Sequence, residues 1–438
     1  MKFNLTLILL GISFLFYTCV ENNETRPPNI ILIMADDLGY GDLGCYGNTR
    51  IKTPYLDRLA KNGLRFTDFH SNGAVCSPTR AALMTGLYQQ KSGLEGVIYV
   101  KGETRKVGLD TAFTTMAEVF KSAGYATGMM GKWHLGYEKQ YNPVHQGFDE
   151  FIGYLSGNID YKSHYDNAGI YDWYDGLDSL AENGYVTDLI GKHAIDFARK
   201  NKDRPFFLYL PHEAPHVPFQ GRNDPAFRYP DREFTYLGPV EDRERAYKDM
   251  VEAMDESIGL LLLSLESMQL LENTLIFFLS DNGGYQQYGD NGPLNGTKGT
   301  LYEGGHRVPA IAYWKGKIRP DVSDDLLMSF DLLPTLSSMA NIEIDQQKFD
   351  GIDFSKRLFG EELGHERNLY WRYRGQRAIR SGDMKLLLTK SDTLLFDLNK
   401  DLGEKEDLST TRPELLESLL NDYTSWDQEM NQYQLVTD

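Results

Sequence analysis

The sequence predicts an α/β protein: a large, mostly parallel or mixed β-sheet flanked by helices, with a smaller C-terminal α+β subdomain containing an antiparallel sheet. Three observations predict it. Apolar runs such as NIILIMADD and TLIFFLSDNGG end in acidic or amide side chains, the pattern of buried parallel strands whose carboxyl ends carry chemistry. Helices with clear start and stop signals lie between the strands, so the two alternate as in βαβ units. After about Asn341 the texture changes to short strands.

In order, MKFNLTLILLGISFLFYTC holds a lone Lys2, an apolar run from Leu5 to Tyr17 and then Cys19. The run is too short to cross a bilayer core of about 30 Å as a helix and reads as an export signal over residues 1–19. Cys19 before the polar VENNET resembles a bacterial lipoprotein junction, with Phe16, Tyr17 and Thr18 bulkier than the usual small residues. Lipidation at Cys19 as a membrane tether, plain cleavage and an uncleaved anchor are the outcomes this pattern allows. An exported protein is expected, periplasmic or an outer-membrane-associated lipoprotein.

A catalytic domain is expected over residues 27–340. After a short linker, NIILIMADD is a strand. TPYLDRLAKNG is a helix with Thr53 as N-cap, Pro54 at the first position and Gly63 past its end. LRFTDFHSN reads as a strand and VCSPTRAALMTG as a helix with Pro78 preset for its first turn. TMAEVFKSAG and YATGMMGKWHLG give the next helix and strand, with GKWHLG at the strand's exit. RPFFLYL runs into PHEAPHVP, and a long amphipathic helix through YKDMVEAMDESIGLLLLSLESM precedes TLIFFLS and DNGG. The subdomain, residues 341–438, has strands at NLYWRYR, QRAIRSG, MKLLLT and TLLFDLN and a closing helix through RPELLESLLNDYTSWDQE. No low-complexity tract separates the two parts, so they are expected to pack together.

A net charge of −18 over 438 residues excludes a nucleic-acid binder, which needs a basic footprint. An anionic ligand must therefore meet a local basic pocket. With Cys19 in the leader, Cys45 and Cys76 allow one disulfide at most, too few for a stapled framework. Cys45, in GDLGCYG, is expected to be a small buried residue.

Asp36 and Asp37 end one strand, and Asp281 and Asn282 another. Adjacent aspartates alone are more often a solvated turn, but their placement at two strand ends allows an oxygen shell for a hard cation, Ca²⁺ more readily than Mg²⁺. Cys76 at a helix N-terminus sits where the macrodipole lowers a thiol pKa and backbone N–H groups receive anions. The bare spacing, taken alone, favours a buried capping residue instead. Arg80, one turn on, shares its face. Lys132 and His134 on an extended strand end would point to one side. His212 and His216 lie in a Pro-rich loop, where lone histidines are usually only solvated, and Lys298 lies among glycines that permit close backbone approach. A nucleophile candidate, several cations and an oxygen nest at strand exits would suit transfer of an anionic group such as sulfate or phosphate.

These residues carry a family resemblance. NIILIMADDLGYGDLGCYG, CSPTRAALMTG, GKWHLG, APHVP, LSDNGG and GTKGTLYEGGHRVP resemble the successive motifs of type I, formylglycine-dependent sulfatases of the alkaline phosphatase superfamily, covering nearly all of the mature chain. The resemblance implies that Cys76 is oxidised to formylglycine by a maturing enzyme before folding hides it. One hydroxyl of the hydrated aldehyde would attack sulfur; deprotonation of the other would expel sulfate and restore the aldehyde. It further implies Ca²⁺ on Asp36, Asp37, Asp281, Asn282 and an oxygen of residue 76. Arg80 and Lys132 would steady the hydroxyls, His134 would be the base of the elimination, and Lys298 and His216 would hold sulfate oxygens and protonate the leaving oxygen.

The substrate class implied is a sulfated carbohydrate of galactose or N-acetylgalactosamine units. Asp160, Tyr161 and His164, in a loop expected to overhang the pocket, and His212 are the substrate-binding candidates, although such loop residues are often structural. The rivals are a phosphodiesterase or phosphonate monoester hydrolase of the same superfamily and a non-catalytic sugar-binding surface protein.

Overall fold

In a computed structural model, which describes residues 26–230, 234–364 and 367–433, NIILIMA is β1 (Asn29–Ala35), buried along its whole length. The predicted leader over 1–19, with Cys19, lies outside the described residues. There follow β2 (Leu64–Phe66), β3 (Phe69–His70), β4 (Ala126–Lys132), β5 (Glu150–Tyr154), β6 (Tyr174–Asp175), β7 (Asp178–Ser179), β8 (Phe206–Pro211), β9 (Thr274–Ser280), β10 (Ala310–Trp314), β11 (Asp321–Ser323) and β12 (Leu327–Met328). Ten form one sheet in the order β11-β2-β10-β9-β1-β8-β4-β5-β6-β7, and β12 pairs with β3. The centre, β9-β1-β8-β4-β5, is parallel throughout. Antiparallel pairs flank it at β9–β10 and β5–β6, so the sheet is mixed.

The helices are α1 (Pro54–Asn62), α2 (Cys76–Thr85), α3 (Met116–Ser122), α4 (Val186–Lys200), α5 (Arg243–Ser267), α6 (Glu303–His306) and α7 (Leu332–Met339). The two-residue alternation of β1 divides them into layers. Ile31 and Ile33 join the core of α1, α4 and α5, while Ile30, Leu32 and Met34 join that of α2, α3 and α7. Both faces are covered, and that is why the central strands are apolar on successive residues.

Three local expectations need correction. LRFTDFHSN is not one strand: it breaks at Thr67 and Asp68, where Asp68 meets Arg380 and His70 instead of continuing the ladder. Thr53 stands at the start of α1 but does not cap it; its hydroxyl binds Gly44 and Asp57, and the Tyr55 and Leu56 N–H groups donate to Asp255 of α5 at 3.1 and 2.8 Å. Cys45 is half-buried, and its thiol and that of Cys76 are both free.

The C-terminal part is an antiparallel sheet of β13 (Asn368–Tyr373), β14 (Gln376–Ser381), β15 (Met384–Leu388) and β16 (Thr393–Asp397), backed by α8 (Pro413–Met430). Leu369, Trp371 and Leu386 pack with Val75, Leu301 and Phe330, so this sheet rests directly behind the start of α2. A buried ion network fastens it. Glu303 accepts from Arg380 and Lys385 at 3.1 and 3.0 Å, and Lys385 also pairs with Glu404 at 2.8 Å. His70 and His306 meet Nδ1 to Nδ1 at 2.9 Å, with His70 Nε2 on Asp68 at 2.7 Å. Burial depresses both imidazoles, so each ring is neutral: His70 donates to Asp68 and His306 donates to His70. Three side chains, Lys385, Arg380 and Arg307, already neutralise the acids here, which makes this an ion network and not a metal centre.

Candidate active site

Four neighbouring parallel strands, β9, β1, β8 and β4, bring their carboxyl ends to one edge, the usual ligand edge of such sheets. In β1 and β9, Ala35 is in register with Ser280, so Asp36 and Asp37 leave the sheet at the same level as Asp281 and Asn282. Past β8 the chain carries His212 and His216, and β4 ends on Lys132 with His134 two residues beyond. Gly283 lies so close to α6 that a Cβ there would fall 1.8 Å from the Gly304 carbonyl oxygen, which presses the DNGG turn against the loop bearing Lys298.

The chain enters α2 extended at Val75, and Cys76 is the first helical residue, 2% exposed. Its Sγ lies 3.5 Å from Asp36 Oδ1 and 3.6 Å from Lys298 Nζ. Burial pushes the thiol up to about 12, although Lys132 and Lys298 act to lower it. The macrodipole argument therefore fails here: an unmodified Cys76 is a neutral thiol, not a thiolate nucleophile.

Arg80 ties three elements together. Its Nε and Nη2 donate to Asp281 Oδ2 at 3.2 and 2.8 Å, and Nη1 donates to the Lys132 carbonyl at 3.0 Å. Lys132 Nζ is bonded to Asp36. Lys298 Nζ spans Asp37 at 2.6 and 2.8 Å. Burial raises the Asp37 pKa, but Lys298, His216 and the Asn282 amide outweigh it and hold the carboxyl at about 2. Asp281 goes the other way, raised to about 6 by burial and by Asp36 despite Arg80.

The two histidines have defined tautomers. His216 Nδ1 lies 2.6 Å from the Val217 carbonyl and so carries the hydrogen, leaving Nε2 3.6 Å from Asp37. His134 Nε2 donates to the Ile98 carbonyl at 2.9 Å, and its Nδ1 is buried with no hydrogen-bond partner. Burial depresses both rings well below the ordinary histidine range. Lys132 and His134 reach the same site, though not by strand alternation: β4 ends at Lys132, and His134 has φ 59°, a left-handed residue past the pleat.

The acidic nest fits a hard divalent cation. Asp36, Asp37 and His216 offer ligand atoms that, with Cys76 Sγ, all lie within 4.8 Å of one another. Asn282 donates its Nδ2 to Asp37 at 2.8 Å, and its Oδ1 is buried without a partner, an acceptor aimed at nothing in the protein. Asp37 holds a left-handed φ of 64°, a conformation that costs a non-glycine residue about 1 kcal/mol. Three carboxylates facing Arg80, Lys132 and Lys298 cancel in charge, so a divalent ion would supply the positive surplus that an anionic ester requires.

Beside Cys76 opens a cavity of about 290 Å³ lined by His134, His216 and Lys298, by Val97–Val100, by Tyr137, Asn158, Asn167 and Tyr236, and by Tyr373 and Arg374 of the C-terminal sheet. The loop predicted to overhang it does so, but through Gly157, Asn158 and Asn167. Asp160, Tyr161, His164 and His212 do not line this cavity. Asp160 accepts from four backbone N–H groups, those of Lys162, Ser163, Phe227 and Arg228. Tyr161 stacks on Tyr185 and donates to the His216 carbonyl at 3.0 Å. His164 packs on Trp173. His212 is buried behind the site, its pKa lowered to about 4 by that burial. The aromatic lining was missed because it comes from four distant segments, none with a motif of its own.

The comparisons agree with this geometry. The sulfatase family profile matches residues 28–342. Human arylsulfatase A is 35% identical, over 90% of this chain and 86% of its own length. The N-acetylgalactosamine-6-sulfatase of Canis lupus familiaris is 36% identical, over 82% of this chain and 71% of its own. A crystal structure of Ps i-CgsB in complex with k-i-k-neocarrahexaose superposes with a TM-score of 0.85 at 32% identity, covering 94% of this chain and 95% of that one. The mixed ten-stranded sheet with its small C-terminal antiparallel sheet is the alkaline phosphatase-like fold of these enzymes. By sequence and by fold, the chain belongs to the sulfatase family and is a sulfuric ester hydrolase.

Proposed function

We propose that this sulfatase removes sulfate from a sulfated carbohydrate of galactose or N-acetylgalactosamine type, using formylglycine at position 76 and a Ca²⁺ ion held by Asp36, Asp37, Asp281, Asn282 and an oxygen of residue 76. The observation that carries the reading is the convergence of three buried aspartates, an unpartnered amide oxygen, two lysines and an arginine around the first residue of α2. The sugar class is supported by the activity named for the dog relative, by the k-i-k-neocarrahexaose in the similar crystal structure, and by a cavity lined with tyrosines and amides. We keep domain limits of 27–340 and 341–438 as part of this reading; the antiparallel sheet of the second begins at Asn368.

When present, the aldehyde hydrate supplies a hydroxyl nucleophile with a second hydroxyl on the same carbon, and the ion supplies Lewis-acid positive charge. The protein's own groups orient and move protons. Arg80 fixes the first turn of α2 to the ends of β9 and β4, which sets the position of residue 76. Lys132 aligns Asp36 and steadies an oxygen at residue 76. His134, its Nε2–H engaged by Ile98, offers Nδ1 as the base of the elimination. Lys298 and His216 bind sulfate oxygens and protonate the leaving oxygen: Lys298 is charged in the resting site, whereas His216, whose Nδ1–H is committed to Val217, must first take up a proton at Nε2. Each donor facing developing charge is worth about 3–4 kcal/mol, or a factor of 10²–10³ in kcat. Because Cys76 is buried in the folded chain, its maturing enzyme acts before folding. Export, with Cys19 as a lipid tether, fits an enzyme that meets polysaccharide outside the cell.

The test compares 4-nitrophenyl sulfate with a 4-nitrophenyl phosphodiester. Sulfate hydrolysis that disappears in Cys76→Ala and in Cys76→Ser, both folded, supports the reading; in Cys76→Ser an ordinary ester cannot undergo the aldehyde-restoring elimination. A strong phosphodiester preference, or an active Cys76→Ala chain, overturns it.

A further inference from the structure

The active-site cavity does not end at Tyr373 and Arg374. The same two residues line a second cavity, of about 320 Å³, whose other walls are Glu95, Gly96, Arg372, Gly375 and Arg377. Three arginines and one glutamate line a single depression on a chain of net charge −18, so this is a local reversal of the protein's field.

The backbone that builds it is stiff. β13 and β14 are joined by the two-residue turn Arg374-Gly375, with φ of 46° and 80°, the left-handed pair of a type I′ hairpin. Arg374 donates to the Tyr99 hydroxyl at 3.1 Å, which binds the turn to the rim of the active-site cavity.

The register places Arg372 directly opposite Arg377. Like charges opposed across antiparallel strands destabilise the pair unless each is compensated. Arg372 is compensated twice, by Glu95 at 2.6 Å and by Asp427 at 2.7 Å. Arg377 is exposed, and its guanidinium makes no ion pair or hydrogen bond among the described residues. One arginine of the pair is thus locked in place and the other presents an uncancelled planar fork to solvent. A guanidinium of that kind matches the two oxygens of a sulfate edge.

We propose that this cavity is a second sulfate subsite, with Arg377 as its principal donor, which binds the sulfate on a neighbouring sugar while the scissile ester lies at Cys76. The inference rests on the sulfatase reading and adds to it: the substrate is a carbohydrate sulfated on more than one unit, laid along the β13–β14 turn. Arg377 makes specificity, not chemistry.

The test uses two galactan tetrasaccharides, one sulfated on every unit and one on a single unit. Their binding to the Cys76→Ala chain is measured by calorimetry with and without Arg377→Ala or Arg377→Glu, while turnover of 4-nitrophenyl sulfate is followed in the Cys76 chain. Arg377→Ala should weaken the fully sulfated ligand about five- to tenfold and Arg377→Glu more, with the loss shrinking at high salt. Neither should change binding of the singly sulfated ligand or turnover of the aryl ester by more than about twofold. Unchanged affinity for the fully sulfated ligand in both variants, or equal losses for the two ligands, overturns the subsite. Absence of aryl sulfate turnover in the parent would instead overturn the sulfatase reading, and the binding result would stand apart from it.

Discussion

Arg80→Lys keeps the charge and removes the fork, so it separates geometry from electrostatics in the active site. Arg80 is buried and makes three hydrogen bonds, two to Asp281 and one to the Lys132 carbonyl. A single ammonium on a shorter stem can keep its pairing with Asp281 but cannot also span to Lys132. Two bonds from a charged donor are lost, each worth about 1.5–3 kcal/mol, and partial recovery by the ammonium leaves a net loss of about 3 kcal/mol. At about 2.1 cal/mol/K per residue, a chain of 438 residues unfolds with an entropy of about 0.9 kcal/mol/K, so Tm should fall by only about 3 °C. Activity should suffer far more. Arg80 sets where residue 76 stands relative to Lys132 and His134, and a misplacement of about 1 Å costs about 10² in rate. The assay is kcat for 4-nitrophenyl sulfate, referred to the fraction of chains with residue 76 modified, alongside thermal unfolding. A kcat within threefold of the parent would refute the view that the fork fixes the nucleophile.

Removal of the divalent ion by a chelator should abolish turnover and lower Tm, and added Ca²⁺ should restore both; saturation at about 100 times Kd stabilises by about 2.7 kcal/mol. A chelated chain that keeps its Tm and its activity would remove the ion from the account. Asp255, which caps α1, has its pKa raised to about 7 by burial, with Asp57 and Glu256 adding to the effect. The folded state therefore holds a proton that the unfolded state releases above about pH 4, and this stabilisation is lost as pH rises to about 7. In Asp255→Asn that loss is absent, so the variant should gain stability relative to the parent across pH 4 to 7, at up to about 1.4 kcal/mol per unit; a flat difference would contradict the assignment. Asp160→Ala, which strands four backbone donors, should destabilise by about 3 kcal/mol with KM for 4-nitrophenyl sulfate unchanged. A stable variant with raised KM would return Asp160 to the substrate-binding set.

The sheet and the polar cluster at its edge were legible because both are written locally. Apolar runs that end in ADD and SDN announce strands and what stands at their ends, and the register of β1 with β9 does the rest. The C-terminal strands were legible for the same reason. What escaped depends on contacts between distant segments. Thr53 looks like a cap until Asp255 arrives from 202 positions along the chain to do that work. Cys76 looks like an activated thiol until the packing of α2, which buries all ten of its residues, reverses the effect of the helix end. The cavity wall shows the limit most clearly. Asp160 and Asn158 belong to one loop with similar polarity, and only the fold decides that the amide faces the cavity while the carboxylate organises the turn behind it.

The most direct test is the mass of the peptide that carries residue 76, taken from the natively produced protein together with its sulfate-ester turnover. Conversion of thiol to aldehyde predicts a loss of about 18 Da, with turnover in proportion to the converted fraction. A fully thiol peptide from a fully active preparation would contradict the account.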